Sequence, residues 1–390
     1  MKRVFLSYRR TDAAAVSELE QALRRAGALP WRDVTSLCPG SGETEEVIRE
    51  TLVAECSVAV LWLTRQALGP TYVMRVELPA MLDAAQGQRL GIVPVFVDMG
   101  VEEAAGAVFD ETGRSIHGYP GVVPKSGEDT AALARRVATA VVRAHLERVW
   151  DRSAVPQVQA VTFAPPDPRD DCVLAFDWSG AYRNGEAVPG EDERAELKAA
   201  LASSLEPLRA AGGHVSLALK TRLSVAFAFG YELRRPTGVV PLVDQYGEVW
   251  AADDSAGGAV ELVESAVEYG DHEGSELAVE VSITDHVRTD VREFAKLRDR
   301  RFRAHLRFEP PAGPAQCSVP DAAHANAWAR QVRERMTKVR GEVGAREIAL
   351  LFNGPSALAV LIGWWCNQAG PLTFYEWGHG GPYQPGWHIP

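Results

Sequence analysis

The second half of the chain contains one α/β pattern written twice, and this repeat limits the possible folds more than any other feature. The segment Glu347–Trp377 reads EIALLFNGPSALAVLIGWWCNQAGPLTFYEW. A shift of 133 positions places its Ile348 on Val215 and its Gly363 on Gly230. Each copy reads as an apolar strand, a turn, a helix of about three turns and a second strand. Because a repeat of fixed period sets the architecture, two equivalent units are expected to pack together with a groove between them.

Composition excludes several classes of protein. The chain has 390 residues, enough for two or three domains, and an ordinary apolar fraction of 46%. The longest apolar run, Ala357–Cys366, is too short to cross a bilayer and the N-terminus has no signal-peptide pattern, so a cytoplasmic protein without membrane contact is predicted. Five scattered cysteines argue against a disulfide framework and a thiolate metal site. A net charge of −11 argues against a long nucleic acid as partner but leaves small anions open.

Strands and helices alternate in residues 1–150. Apolar runs predict strands, and segments of helical periodicity separate them. The predicted strands are Val4–Tyr8, Leu29–Arg32, Val58–Leu63 and Ile92–Val97, and Ala131–Val149 is the closing helix. This alternation predicts a parallel sheet with helices on both faces and a ligand site where the strands end.

Three short motifs give this first domain a resemblance to the TIR family. They are FLSYRRTD at Phe5–Asp12, WRD at Trp31–Asp33 and VEL at Val76–Leu78. The resemblance implies a flavodoxin-like parallel sheet and, through the glutamate of the third motif, cleavage of NAD+ with Glu77 as the catalytic residue. It also implies an NAD-binding role for Tyr8, Arg9, Arg10, Trp31 and Asp33, although the residue pattern alone favours a core position for Trp31. The aromatic residue that usually stands four positions before the glutamate is absent, because Val73 is there and Tyr72 lies one position earlier.

The implied reaction needs little from the protein. Breaking the nicotinamide–ribose bond passes through an oxocarbenium-like state, which a nearby carboxylate stabilises. No GxGxxG motif follows a predicted strand. NAD+ is therefore expected as a consumed substrate, and no bound cofactor or metal is predicted.

A proline-rich segment separates this domain from the repeat. Residues 151–171 are predicted to be a linker, and residues 172–390 a second domain with halves at about 172–270 and 271–390. Cys172–Trp178 and Leu277–Ile283 are predicted as the equivalent first strands of the two halves. The basic run Lys296–Arg307 is interpreted as either a ligand contact or, more simply, a solvated helix face.

Candidate ligand contacts lie where the middle strand of each half meets its next helix, because helix N-termini direct N–H groups toward phosphates. Aromatic residues near the chain end suit stacking on bases. The candidates are Lys220, Thr221 and Arg222 in the first half, Asn353 and Ser356 in the second, and Tyr375 and Trp377 near the end.

The duplicated unit, FNGPSALAVLIG and FYEW together resemble the SAVED family, in which two CARF-like, Rossmann-like units are fused. The resemblance implies a sensor of CBASS antiphage defence that binds a cyclic tri- or tetranucleotide, most simply a trinucleotide. A partner nucleotidyltransferase of the CD-NTase type would make this activating ligand. The seven candidates named above then become its expected contacts, with Trp377 stacking on a base.

The two resemblances together predict an effector that assembles head to tail into a filament and hydrolyses NAD+ to nicotinamide and ADP-ribose. The loop Thr35–Gly42 of one protomer is expected to cover Glu77 of the next. Two alternatives remain open. The first domain could be an adaptor that recruits partners without chemistry, or the second could be a nuclease that degrades its own ligand.

Overall fold

The computed structural model describes most of the chain. The described residues are 1–32, 44–87, 89–103, 108, 113–185, 187–245, 247–253, 261–297, 301–378 and 383–390. Asp33 and the loop Thr35–Gly42 lie outside the described residues.

Strands and helices alternate along both halves of the chain. The strands are β1 Arg3–Ser7, β2 Pro30–Trp31, β3 Cys56–Leu63, β4 Gly91–Phe96, β5 Gln157–Val161, β6 Cys172–Asp177, β7 Gly213–Lys220, β8 Val239–Gln245, β9 Glu248–Ala251, β10 Val263–Glu264, β11 Glu268–Tyr269, β12 Glu276–Ser282, β13 Phe302–Glu309, β14 Glu347–Asn353, β15 Leu372–Trp377 and β16 Tyr383–Ile389. The α-helices are α1 Ala13–Arg25, α2 Thr44–Ala54, α3 Leu78–Gln86, α4 Thr130–Val149, α5 Glu191–Ala211, α6 Leu223–Glu232, α7 Arg288–Leu297, α8 Ala322–Val343 and α9 Ser356–Trp365. Short 3₁₀ turns occupy Arg10–Asp12, Arg65–Leu68, Arg183–Gly185 and Arg235–Thr237, and a π-helical turn occupies Val73–Glu77.

The chain divides into two compact units. The first comprises Met1–Gln159, Asp167–Asp177 and Ala199–Pro207, and the second comprises Ala160–Pro166, Trp178–Lys198 and Leu208–Pro390. The first unit therefore extends past residue 150 and includes β6, whose Ala175 amide donates to the carbonyl of Gly27 after α1.

A parallel sheet forms the centre of the first unit. Its strands lie in the order β2-β1-β3-β4, which is the flavodoxin-like order, and every pair is parallel. Val122 makes a parallel bridge to Val95 at the outer edge of β4. All eight residues of β3 are buried, as expected of a central strand covered on both faces. The predicted α/β architecture is confirmed.

One face of this sheet carries an apolar core that the helices α2 and α3 cover. Alternate residues of β1 and β3 point into it, together with apolar residues of the two helices. The core includes Phe5, Ala59, Leu61, Leu63, Ile48, Leu52, Leu78, Met81 and Leu82. Ser7 belongs to the same alternation as Phe5, which directs its hydroxyl to this face at the end of β1.

The two repeats pack against each other through α6 and α9. A Cβ atom on Gly230 would lie 1.9 Å from the carbonyl oxygen of Val360, and one on Gly363 would lie 2.2 Å from that of Phe227. Gly230 and Gly363 are repeat equivalents, and so are Phe227 and Val360. The helices therefore cross with the approximate two-fold symmetry that the repeat predicts.

Sheet order corrects the predicted pairing of first strands. The second repeat forms a sheet in the order β10-β13-β12-β14-β15-β16, so β12 lies beside β14. The other sheet has the order β6-β5-β7-β8-β9, so β5 takes the place beside β7 that β12 takes beside β14. The counterpart of β12 is therefore β5, from the segment predicted as a linker, and β6 corresponds to β13.

The described ranges contain neither a membrane-spanning helix nor a metal-binding cluster. None of their helices combines the length and the apolar character needed to cross a bilayer. Within the same ranges, no group of three His, Cys, Asp or Glu side chains is arranged to hold a metal ion.

Candidate functional sites

The carboxylate of Glu77 lies buried at the carboxyl end of β1. Only 4% of Glu77 is exposed. The Ser7 hydroxyl donates a hydrogen bond of 2.5 Å to its Oε2 atom, and Ser7 itself is 1% exposed. A buried carboxylate at the strand ends of a flavodoxin-like sheet is placed where such folds bind their ligands. Glu77 thus lies at the end of the sheet where the sequence predicts a ligand site, and its catalytic role stays a prediction.

An irregular helical turn directs Glu77 inward. The turn Val73–Glu77 is π-helical, and the Leu78 amide donates to the carbonyl of Val73, five residues earlier. Pro79 follows in the first turn of α3 and has no N–H to continue an α-helical ladder. The wider turn adds a residue to the helix at this point, as π-turns at functional sites often do.

Tyr8 makes contacts that differ from those predicted. Its hydroxyl accepts hydrogen bonds of 2.6 and 3.1 Å from the Arg32 guanidinium, which also lies over the Tyr8 ring. Arg32 in turn donates to Glu20 on α1 at 2.7 Å. Burial acts to raise the pKa of Glu20, but hydrogen bonds from Arg32 and Arg24 outweigh it, and the pKa lies below its ordinary value. Tyr8 therefore binds to the ion pair between Arg32 and Glu20 of α1.

The remaining predicted NAD contacts are dispersed. Trp31 is 3% exposed and stacks on Phe5 with 5.2 Å between ring centroids, so it belongs to the core. Arg9 donates to the side chain and the carbonyl of Gln66 at 2.9 and 3.2 Å. Arg10 is exposed in a 3₁₀ turn. Among the predicted NAD contacts that the structure describes in this group, Arg9 and Arg10 keep surface for a substrate, whereas Trp31 does not.

In the second unit, the Arg222 guanidinium joins several segments at the N-terminus of α6. It donates to the carbonyl of Trp377 at 3.0 Å and to the carbonyl of Gly185, and it lies 5.8 Å from the centre of the Phe163 ring. The Arg222 amide donates to the Thr162 hydroxyl at 2.9 Å. The Arg222 side chain, which is predicted to bind the ligand, thus already donates hydrogen bonds to protein oxygens.

A buried carboxylate completes this junction. Oε2 of Glu376 accepts from the Ser224 amide in the first turn of α6 at 2.9 Å, and its Oε1 lies 3.8 Å from Arg222. Burial raises the pKa of Glu376, while the Ser224 amide and the Arg222 charge act in the opposite direction. Glu376 occupies the place at the helix N-terminus that an anion would take.

The second repeat carries neutral groups at the equivalent place. The Ser356 hydroxyl and the Ala357 amide, at the start of α9, donate to Oε1 of Gln245 at 3.4 and 3.2 Å. Asn353 accepts from the Thr284 hydroxyl at 2.5 Å through Oδ1. Asn353 and Ser356 are both partly exposed. The two helix N-termini therefore differ in charge, with a carboxylate at α6 and an amide at α9.

The other predicted contacts in this unit have different environments. Lys220 is exposed at the end of β7, whereas Thr221 is 8% exposed. Tyr375 is 3% exposed and packs on Phe294, so its ring lies in the core and is not presented for stacking. Trp377 is 41% exposed, which leaves part of its indole ring available to a ligand.

The basic run Lys296–Arg307 does not form one solvated helix face within the described residues, because there only its Lys296 is a basic residue on a helix, exposed near the end of α7. Its second part forms β13, and Arg307 makes two hydrogen bonds of 2.7 and 2.5 Å to the Glu268 carboxylate. Arg303 donates to the carbonyl of Val343. These arginines stabilise the edge of the sheet.

Several groups that complete these sites are not predicted as site residues from the sequence. Polar residues within otherwise buried strands were the available signal, because a buried polar group needs a partner. The residues are Ser7, Arg32, Gln245 and Glu376.

Two family models match separate parts of the chain. Residues 4–116 match the family model of the TIR domain. Residues 197–389 match the model described as the SMODS-associated and fused to various effectors sensor domain, SAVED. A comparison with curated proteins finds no match.

Two solved structures are similar to this chain, both of the Acinetobacter baumannii Cap4 SAVED/CARF-domain containing receptor. The one with the cyclic trinucleotide 2'3'3'-cAAA is 13% identical over 96% of this chain and 97% of that chain, with a TM-score of 0.51. The one with 3'3'3'-cAAA is 14% identical over 98% and 99%, with a TM-score of 0.49.

Proposed function

The chain carries an N-terminal TIR domain and a C-terminal SAVED sensor domain, and we propose that it is a ligand-activated NAD+ glycohydrolase of CBASS antiphage defence. The SAVED domain binds a cyclic oligonucleotide, most simply a cyclic trinucleotide from a CD-NTase-type enzyme. The TIR domain then cleaves NAD+ to nicotinamide and ADP-ribose. The buried Glu77 carboxylate at the sheet edge is the observation that carries this proposal.

Glu77 supplies what the reaction needs. Nicotinamide is a good leaving group, so the demand on the protein is to stabilise positive charge on the ribose. A carboxylate in an environment of low polarity does this more strongly than one in water. Ser7 and the π-helical turn hold the carboxylate in place before substrate binds.

Assembly completes the proposal. Ligand binding favours head-to-tail association of protomers, and a contact of this kind that does not close gives a filament. Light scattering and electron microscopy with and without ligand test this step. Closed dimers at saturating ligand would contradict it.

The first experiment measures nicotinamide release from NAD+ with a panel of cyclic di-, tri- and tetranucleotides. We expect release with one ligand class, and a loss of at least about 10²-fold in Glu77→Gln, the scale at which a single stabilising group acts. Arg75→Gln, two positions earlier in the same turn, is the matched control. Activity retained by Glu77→Gln would remove the carboxylate from the mechanism. Absence of release with every ligand would favour the adaptor function.

A further inference from the structure

Ser7 is the residue whose placement carries an inference beyond the proposed chemistry. It ends β1, on the sheet face that carries Phe5, and its hydroxyl donates a hydrogen bond to the carboxylate of Glu77, which lies 70 positions later in the chain. Both side chains are at least nine-tenths buried. The contact therefore joins a rigid strand to the irregular turn that carries the proposed catalytic residue.

The surroundings of Glu77 make this contact important. Val73 and Leu78, on either side of Glu77 in the chain, are buried in the same apolar core as Phe5. A carboxylate beside apolar groups loses hydration, and hydrogen bonds offset that loss. A separation of 2.5 Å is typical of a hydroxyl that donates to an ionised carboxylate.

We infer that Ser7 is a positioning residue that fixes the orientation of the Glu77 carboxylate toward the ribose of NAD+, where positive charge develops. This inference rests on the proposed function. The π-helical turn interrupts the regular α-helical ladder at Glu77. The strand holds the Glu77 carboxylate through the Ser7 hydroxyl. A site held on strands and helices is more accurate than one held on a loop.

The kinetic test compares Ser7→Ala and Ser7→Thr with the wild type, using as the probe the cyclic nucleotide of the panel that releases most nicotinamide in the wild type. Misplacing a reacting group by 1 Å costs roughly 10²-fold in rate. We therefore expect Ser7→Ala to lower kcat about 10- to 100-fold while KM changes little, since substrate contacts elsewhere are unchanged. Ser7→Thr keeps the hydroxyl on a residue suited to a strand and should restore most of kcat.

Ser57→Ala is the matched control. Ser57 is also a buried serine on a neighbouring strand, and its hydroxyl also makes a 2.5 Å hydrogen bond, to His145. Its removal should lower stability and leave kcat unchanged. Equal kcat losses in Ser7→Ala and Ser57→Ala would show that Ser7 acts only on stability and would overturn the inference.

A crystal structure of Ser7→Ala decides the inference even if the wild type cleaves no NAD+. The carboxylate of Glu77 should move by more than about 0.5 Å or occupy more than one rotamer, which exceeds the tolerance of a preorganised site. A carboxylate that stays in place without Ser7 would overturn the positioning role. Ser7→Cys, which keeps the volume but donates weakly, replaces Ser7→Ala if that variant does not fold. Lack of NAD+ cleavage in the wild type contradicts the proposed function and leaves this structural test intact.

Discussion

At the scale of single residues, two buried titratable groups of the first unit need opposite states, one charged and the other neutral. Glu77 needs its charge for the proposed chemistry and receives a hydroxyl donor. His145 is fully buried and needs to be neutral, because its Nδ1 lies 2.5 Å from the Ser57 hydroxyl and its Nε2 lies 3.0 Å from the carbonyl of Val173. A neutral imidazole serves both contacts, since Nε2–H donates to the carbonyl and Nδ1 accepts from the hydroxyl.

Burial lowers the pKa of His145 to about 4, from an ordinary value of 6.5. The unfolded chain therefore binds a proton below pH 6.5 that the folded chain does not bind until about pH 4. Stability is full above pH 6.5 and falls between those limits by on the order of 3 kcal/mol. Urea unfolding at pH 7 and pH 5 should show His145→Gln with a weaker pH dependence than the wild type. His117→Gln, at an exposed histidine of the same unit, is the control and should match the wild type.

At the scale of elements, the crossing of α6 and α9 requires glycine at two equivalent positions. Substituting Gly230→Ala or Gly363→Ala places a methyl group against backbone carbonyls of the other helix, which cannot move aside as a side chain could. We expect each change to cost about 1–3 kcal/mol or more in free energy of unfolding. Gly341→Ala in α8 meets no atom within 4 Å and should be neutral or stabilising by up to about 1 kcal/mol. Denaturation midpoints test all three, and an unchanged Gly230→Ala would contradict the close crossing.

The sequence predicts that the two repeats pack together as equivalent units but does not predict the strand that completes the first repeat. Gly230 and Gly363 align because the repeat conserves the same packing requirement in both copies. The strand β5 was overlooked because its partly polar sequence QVQAV lies among prolines, and local composition there favours a linker. Its order in the sheet depends on tertiary pairing, which overrides local propensity. The position of Glu376 is not predicted for a related reason. Its hydrogen bond comes from the N-terminus of α6, which is far from Glu376 in the sequence.

At the scale of the whole molecule, the proposed function requires that ligand bound to one domain change chemistry in another. A ligand shifts such an equilibrium only through its different affinities for the two states. A ligand at the predicted contacts would therefore be sensed through changes near Arg222 or near the α9 N-terminus. Arg222 bonds the carbonyl of Trp377, so a base stacked on Trp377 would act directly on this junction.

Trp377→Ala tests this arrangement because it removes the indole ring but keeps the carbonyl that Arg222 binds. A ligand at about 100 times its Kd raises the free energy of unfolding of the protein by about 2.7 kcal/mol, and this raises the Tm. With the cyclic nucleotide of the panel that activates the wild type as the probe, the wild type should show this shift, and Trp377→Ala should lose most of it. Tyr269→Ala, at an aromatic residue that is 78% exposed in the same unit, should keep the full shift. A full shift in Trp377→Ala would place base stacking elsewhere, and the partly exposed edge formed by Asn353 and Ser356 would then be the region to alter next.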